Sequence, residues 1–172
     1  MTLAVDVMGS DRGPNEVLAG ISQSLEISPR GTRFLLFGRE EIIGKYFSAF
    51  DNFDSGQVEV RHAPEVVEMN EKPIAGIKGK KNSSMALALQ SVKNQEAQAL
   101  LSCGNTGCLM AGSTIRLRTL EGVERPALCT IWPGRERYFT LLDAGANPHA
   151  KPYHIAQNAI LGSNYALSLI HI

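Results

Sequence analysis

The chain has 172 residues, 44% of them hydrophobic, enough for one α/β domain with its own core and too many for a disordered class. Seventeen basic residues balance seventeen acidic ones, so the formal net charge is zero and no global basic field invites nucleic acid. The apolar runs are strand-length, far short of the roughly 20 residues that span a bilayer, and a start that turns acidic at Asp6 is not a signal peptide.

In chain order, Leu3 to Val7 reads as a buried strand, and the turn Met8 to Pro14 leads into a helix whose stripe is Val17, Leu18, Ile21 and Leu25. Arg33 to Phe37 is a second strand, followed by a helix over about 39–47. Val58 and Val60 alternate with polar residues in a third strand. The segment from Glu68 to Lys81 reads as a basic loop. Asn82, Ser83 and Ser84 cap a helix with Met85, Leu89 and Val92 on one face. Leu100 and Leu101 form a short strand, and a helix is expected from Thr106 to about Leu120. Ala127 to Ile131 and Phe139 to Leu142 are further strands, and a last helix runs from Tyr153 to about Ala166. Alternating strands and helices predict a mostly parallel sheet covered on both faces, a three-layer α/β/α arrangement.

Such sheets bind ligands beyond the carboxyl ends of their strands. Three polar, glycine-containing turns follow predicted strands and are expected on one rim. The first offers Asp6, Gly9 and Asp11. The second, Ser102-Cys103-Gly104-Asn105-Thr106-Gly107, opens a helix, where backbone amides and the helix dipole favour an anion. The third, Asp143-Ala144-Gly145-Ala146-Asn147, adds Asp143 and Asn147. Lys78, Lys80 and Lys81, just before the Ser83–Ser84 helix start, read as a local anion trap. His149 and His154 read as surface histidines. Three cysteines, Cys103, Cys108 and Cys129, cannot all pair, which suits a reducing, cytoplasmic compartment. Cys103 and Cys108 read as small buried residues in preference to a redox pair or a metal site.

Six stretches, in order, resemble the bacterial phosphate acyltransferase family, the PlsX-like enzymes. They are Ala4-Val5-Asp6-Val7-Met8-Gly9-Ser10-Asp11 with Gly13-Pro14, Glu65 to Pro73, Lys80 to Met85, Ser102 to Gly107, Arg125-Pro126-Ala127, and Leu142 to Asn147. The family's pattern differs at Ser10, Asn70, Cys103, Cys108, Ala150 and Gly79; at Gly79, where an arginine is usual, it puts one phosphate contact in question. The resemblance spans residues 2 to about 166, the N-terminal half of such a protein. It implies an isocitrate/isopropylmalate-dehydrogenase-like fold, truncated, with Leu167–Ile172 as a non-native tail.

The resemblance further implies transfer of an acyl group from acyl carrier protein to inorganic phosphate, in phospholipid biosynthesis, with no cofactor and no residue assigned as a metal ligand. It assigns Asn105, Asp143 and Asn147 to catalysis, with Asn105 or Asn147 as oxyanion donor. It assigns Asp6, Gly9, Asp11, Lys80, Lys81, Ser83, Ser84, Gly104, Thr106 and Gly107 to phosphate or substrate. A homodimer and peripheral membrane association through the other half are implied as well. The rival readings are a phosphotransacetylase acting on coenzyme A thioesters, a metal-dependent decarboxylating dehydrogenase with Asp6, Asp11 and Asp143 as ligands, and an inert half-domain with an exposed sheet edge.

Overall fold

The computed structural model describes residues 1–29, 31–48 and 56–170, in two compact units that divide after Arg118. In the first unit, β1 (Thr2–Asp6), β2 (Arg33–Gly38), β3 (Val58–His62) and β4 (Ala99–Ser102) form an all-parallel sheet in the order β3-β2-β1-β4. Period-2 alternation sorts the strand residues onto two faces. Val5, Phe34, Leu36 and Val58 pack under α1 (Pro14–Ile27) and α2 (Glu40–Phe47), against Leu18, Ile21 and Ile43. Ala4, Leu35 and Phe37 pack under α4 (Ser84–Lys93), against Ala88. Both faces are therefore covered, which is why the central strands β1 and β2 are nearly unbroken apolar runs, while the edge strand β3 alternates with polar residues.

The segment expected as a basic loop contains a helix instead, α3 (Pro73–Gly79), started by Pro73 and anchored by the buried Ile77. With α5 (Thr106–Arg116), α3 and α4 enclose a small core of Val67, Ile77, Met85, Leu89 and Cys108. A stretch of seven residues with two glycines carries too little periodicity to announce itself as a helix; burial of Ile77 supplies the stabilisation that propensity lacks.

The second unit departs from the expected parallel sheet. β5 (Cys129–Pro133) and β6 (Tyr138–Leu142) pair with each other, antiparallel, as a two-stranded sheet. A connection of four residues, Gly134 to Arg137, is too short for the crossover that parallel pairing requires. The turn after β6 is held by Asp143. Its Oδ1 accepts from the amides of Leu128 at 2.8 Å and Ala146 at 3.2 Å, and its Oδ2 from the amide of Asn147 at 2.7 Å and Asn147 Nδ2 at 3.0 Å. Asn147 Nδ2 also donates to Pro126 O at 2.8 Å. The helix α6 (Pro152–Ile170) then packs on β6 and runs without interruption into the residues read as a tail, of which 171 and 172 lie outside the described residues.

Truncating Leu36, fully buried in a central strand, is expected to cost about 2–5 kcal/mol, whereas Leu101→Ala, at a side chain 47% exposed on the edge strand β4, should cost well under 1.5 kcal/mol. Equal shifts of the urea midpoint would overturn this placing of the core. Burial acts to raise the Asp143 carboxyl, but the four hydrogen bonds from Leu128, Asn147 and Ala146 outweigh it and the net shift is downward. A carboxyl lowered in the folded state stabilises above its unfolded pKa of about 3.9 and loses that contribution as pH falls through its folded value. Trp132, the single tryptophan, lies in β5 and reports on this unit. Its thermal transition should fall between about pH 5 and pH 3 more steeply in the native chain than in Asp143→Asn.

Candidate functional site

The sheet order places a switch point between β1 and β4. The chain leaves β1 toward α1 on one face and leaves β4 toward α5 on the α4 side, so the two following turns diverge at the carboxyl ends of adjacent strands. Asp6 ends β1 and Ser102 ends β4, paired in register. Ser102 Oγ donates to Asp6 Oδ2 at 2.7 Å and accepts from the Gly104 amide at 3.1 Å. Asp6 is 1% exposed, and its Oδ1 is buried without an aligned hydrogen bond. Burial pushes its carboxyl up, against the opposing pull of the Ser84 and Ser102 hydroxyls and the backbone at Met8 and Gly9.

Above Asp6 the two turns meet backbone on backbone. A Cβ on Gly9 would press on Asp6 Oδ2 and lie 3.1 Å from the Gly104 Cα, and a Cβ on Gly104 would lie 3.2 Å from the Gly9 Cα. Neither position accepts a side chain without parting the turns. Gly104 and Gly9 are thus brought together with Asp6, Ser84 and Ser102, the last of these not singled out by sequence reasoning. Asp11 and Thr106 lie exposed on the same two turns.

Asn105 is the N-cap of α5 and is 8% exposed. Its Oδ1 accepts from the Cys108 amide at 3.0 Å, and its Nδ2 donates to the carbonyls of Glu68, Met69 and Glu71 at 3.2, 2.9 and 3.0 Å. The side chain thus ties the 68–71 loop to the start of α5, and its N–H groups are spent on that loop. The amides of Thr106 and Gly107, in the first turn of α5, have no intrahelical acceptor and take no other protein group among the described residues. Of the two helix starts near Asp6, this is the one with two consecutive unclaimed amides.

The start of α4 is not open in the same way. Ser83 Oγ accepts from the Ala86 amide at 3.3 Å and donates to Lys80 O at 2.8 Å. Glu65 takes the next donors, its Oε2 bonding the Asn82 amide at 2.9 Å and its carbonyl the Ser84 amide at 3.1 Å. Ser83 is therefore a helix cap, and Ser84 is buried against Asp6.

The expected trap of three lysines is divided. Lys80 Nζ donates to Val66 O at 2.6 Å and forms an ion pair with Glu71, whose Oε1 also accepts from the Glu68 amide at 2.8 Å. That amide first, and Lys80 second, hold the Glu71 carboxyl below its ordinary range. Lys78 and Lys81 line a separate groove. The helix α3 is what parts them. Glu71 went unnoticed in the sequence because its partner is nine residues away, across that helix.

Of the cysteines, Cys108 is buried between α3 and α5, and burial pushes its thiol up, while Cys103 is exposed, against the reading of both as buried. His154 is 3% exposed, a correction to its reading as a surface residue, with Nδ1 accepting from the Lys151 amide at 3.0 Å and Nε2 lying 3.5 Å from Glu124 Oε1. His149 is exposed. Asp143 and Asn147 belong to the second unit, where each is engaged in the turn described above, rather than to a third turn of the parallel sheet. Among the described residues, no group of three or more His, Cys, Asp or Glu side chains is placed to hold a metal ion, and no helix is long and apolar enough to cross a membrane.

The chain is 39% identical over 175 residues to the phosphate acyltransferase of Pediococcus pentosaceus, covering all of this chain and 49% of that protein. It is 42% identical over 168 residues to the phosphate acyltransferase of Cereibacter sphaeroides, covering 96% of this chain and 45% of the relative, and 37% identical over 172 residues to that of Clostridium tetani, covering 100% and 51%. The chain thus spans about half the length of the curated relatives it matches. The model of the family described as fatty acid synthesis protein matches residues 1–172, and the chain belongs to that family.

Proposed function

We propose that the chain carries the phosphate-binding side of an acyltransferase that moves an acyl group from acyl carrier protein to inorganic phosphate, for phospholipid synthesis. The observation that carries this reading is the open first turn of α5, where the Thr106 and Gly107 amides stand beside the Gly9–Gly104 contact at the switch point. Phosphate is a dianion with its own nucleophilic oxygen, so the site needs donors and orientation rather than an activated side chain. Cys103 and the histidines have no part in this scheme.

A phosphate oxygen attacks the thioester carbonyl carbon. The resulting oxyanion collapses with cleavage of the C–S bond, giving acyl phosphate, and the proton of hydrogen phosphate ends on the departing thiol. The Gly104–Gly107 turn supplies amides for the phosphate or the oxyanion. Lys80, tethered by Glu71, supplies positive charge, whereas Lys81, expected beside it, lines the separate groove. Asp6 and Gly9 form the floor, and Ser83 and Ser84 fix the start of α4. Asp11 stands on the rim. Asn105 acts as a positioning residue through the 68–71 loop, a change from its expected role as oxyanion donor. Asp143 and Asn147 order their own turn. A homodimer, a peripheral membrane contact and a cytoplasmic setting complete the reading and rest on the resemblance.

The reading is tested by incubating the chain, by itself and within a protein of its relatives' length, with acyl carrier protein thioester and phosphate, and trapping acyl phosphate with hydroxylamine. Phosphate-dependent hydroxamate is expected from the longer protein, with the carrier thioester preferred to the coenzyme A thioester. No phosphate-dependent product overturns the reading, and equal rates with coenzyme A move it to the phosphotransacetylase type. In the longer protein, Asn105→Ala should lower kcat/KM for phosphate by about 10²-fold. Asn105→Ser, which retains a capping oxygen, should lose nearly as much, because the ties to Glu68, Met69 and Glu71 are gone in both. A serine variant as active as the native protein would reduce Asn105 to a helix cap.

A further inference from the structure

The groove that takes up Lys78 and Lys81 lies between α3, α4 and α5 and has a volume of about 280 Å³. Four cations line it, Lys78, Lys81, Lys93 and Arg116, and no acidic residue does, in a chain whose charges sum to zero. Lys78, Lys81 and Lys93 are exposed and make no ion pair or hydrogen bond among the described residues, while Arg116 Nη1 is held at 2.9 Å by Gln90 Oε1. Ile77 and Ile115 give the groove an apolar wall. Gly112 lets the helices close beneath it, since a Cβ there would lie 2.6 Å from Leu89 Cδ1 and 2.9 Å from Ile77 Cγ1.

The cations are strung out rather than converged. Lys81 precedes α4, whose N-terminus meets Asp6, and Lys93 is its last residue. At 1.5 Å per residue, α4 separates them by about 15 Å. Anchors that far apart meet one small anion only if both lysine side chains fold inward, at a cost in side-chain freedom. A helix bearing carboxylates on one face, about 5–6 Å between neighbours, can satisfy all four.

We infer that this groove is the docking face for an acidic helix of the carrier protein that delivers the thioester. The inference rests on the proposed acyl transfer and adds the surface that reception of the donor requires. A row of cations leading from the start of α4 steers an acidic partner on approach and sets its register, with the apolar wall receiving the helix's own apolar edge. Such pairing raises the association rate and weakens as salt rises.

The test uses fluorescently labelled holo-acyl carrier protein, titrated with the native chain and with the double variant Lys78→Glu/Lys93→Glu, at low and at about 0.5 M salt. The variant is expected to bind at least 10-fold more weakly at low salt, to lose most of the salt dependence, and to keep the native unfolding midpoint. In the longer protein the same variant should raise KM for acyl carrier protein thioester and leave that for phosphate unchanged. Unaltered carrier binding overturns the inference. So does a fall in the unfolding midpoint that accounts for the lost binding, which would make these lysines part of a packed interface. Binding of tripolyphosphate, but not carrier protein, to the native chain and not to the variant would make the groove a small-anion site instead. If the longer protein forms no acyl phosphate, the proposed function fails; if it does and the variant behaves as native, only the docking face fails.

Discussion

Everything at the candidate site depends on how closely two turns approach at the ends of neighbouring parallel strands. Parallel pairing of β1 with β4 puts Asp6 beside Ser102, and the chain then departs in two directions. The turns touch through Gly9 and Gly104 because neither has a Cβ, and that contact seals Asp6 from water. A buried carboxyl is costly as an anion, which explains why its surroundings are hydroxyls and backbone amides. The same arrangement leaves the first turn of α5 facing out, with unclaimed amides.

The distribution of charge around the site follows from hydrogen-bond accounting. The two helix starts near the switch point look alike in sequence, each opened by small polar residues. Yet Ser83 and Glu65 take two of the first three amides of α4, whereas α5 is capped only at its third amide by Asn105. An anion is favoured where donors remain, so α5 rather than α4 is the better receptor. Among the lysines, Glu71 fixes Lys80 near the loop that Asn105 holds, while α3 carries Lys78 away to the groove.

The second unit has its own organisation. Asp143 accepts four hydrogen bonds and Asn147 donates through both main chain and side chain, so the turn after β6 closes on the segment before β5. Residues that read as one more polar turn of a parallel sheet are thus the fastening of an antiparallel pair. His154 became buried because α6 turns it toward Glu124 with its Nδ1 taken by the Lys151 amide.

The amino-acid sequence by itself determined the strands of the first unit, its helices other than α3, the parallel sheet covered on both faces and the two glycine turns. Period-2 and helical patterns with strong caps such as Ser83 are local physics, readable without a partner. The ordered motifs also marked the family. Only the tertiary structure decided which strands pair, that β5 and β6 form a sheet of their own, that α3 is a helix, and which polar groups are spent. Asn105 and Lys80 look free in a sequence, and whether a donor is free depends on acceptors 9 to 37 residues away. That is a question of long-range hydrogen bonding and burial, to which local pattern is blind.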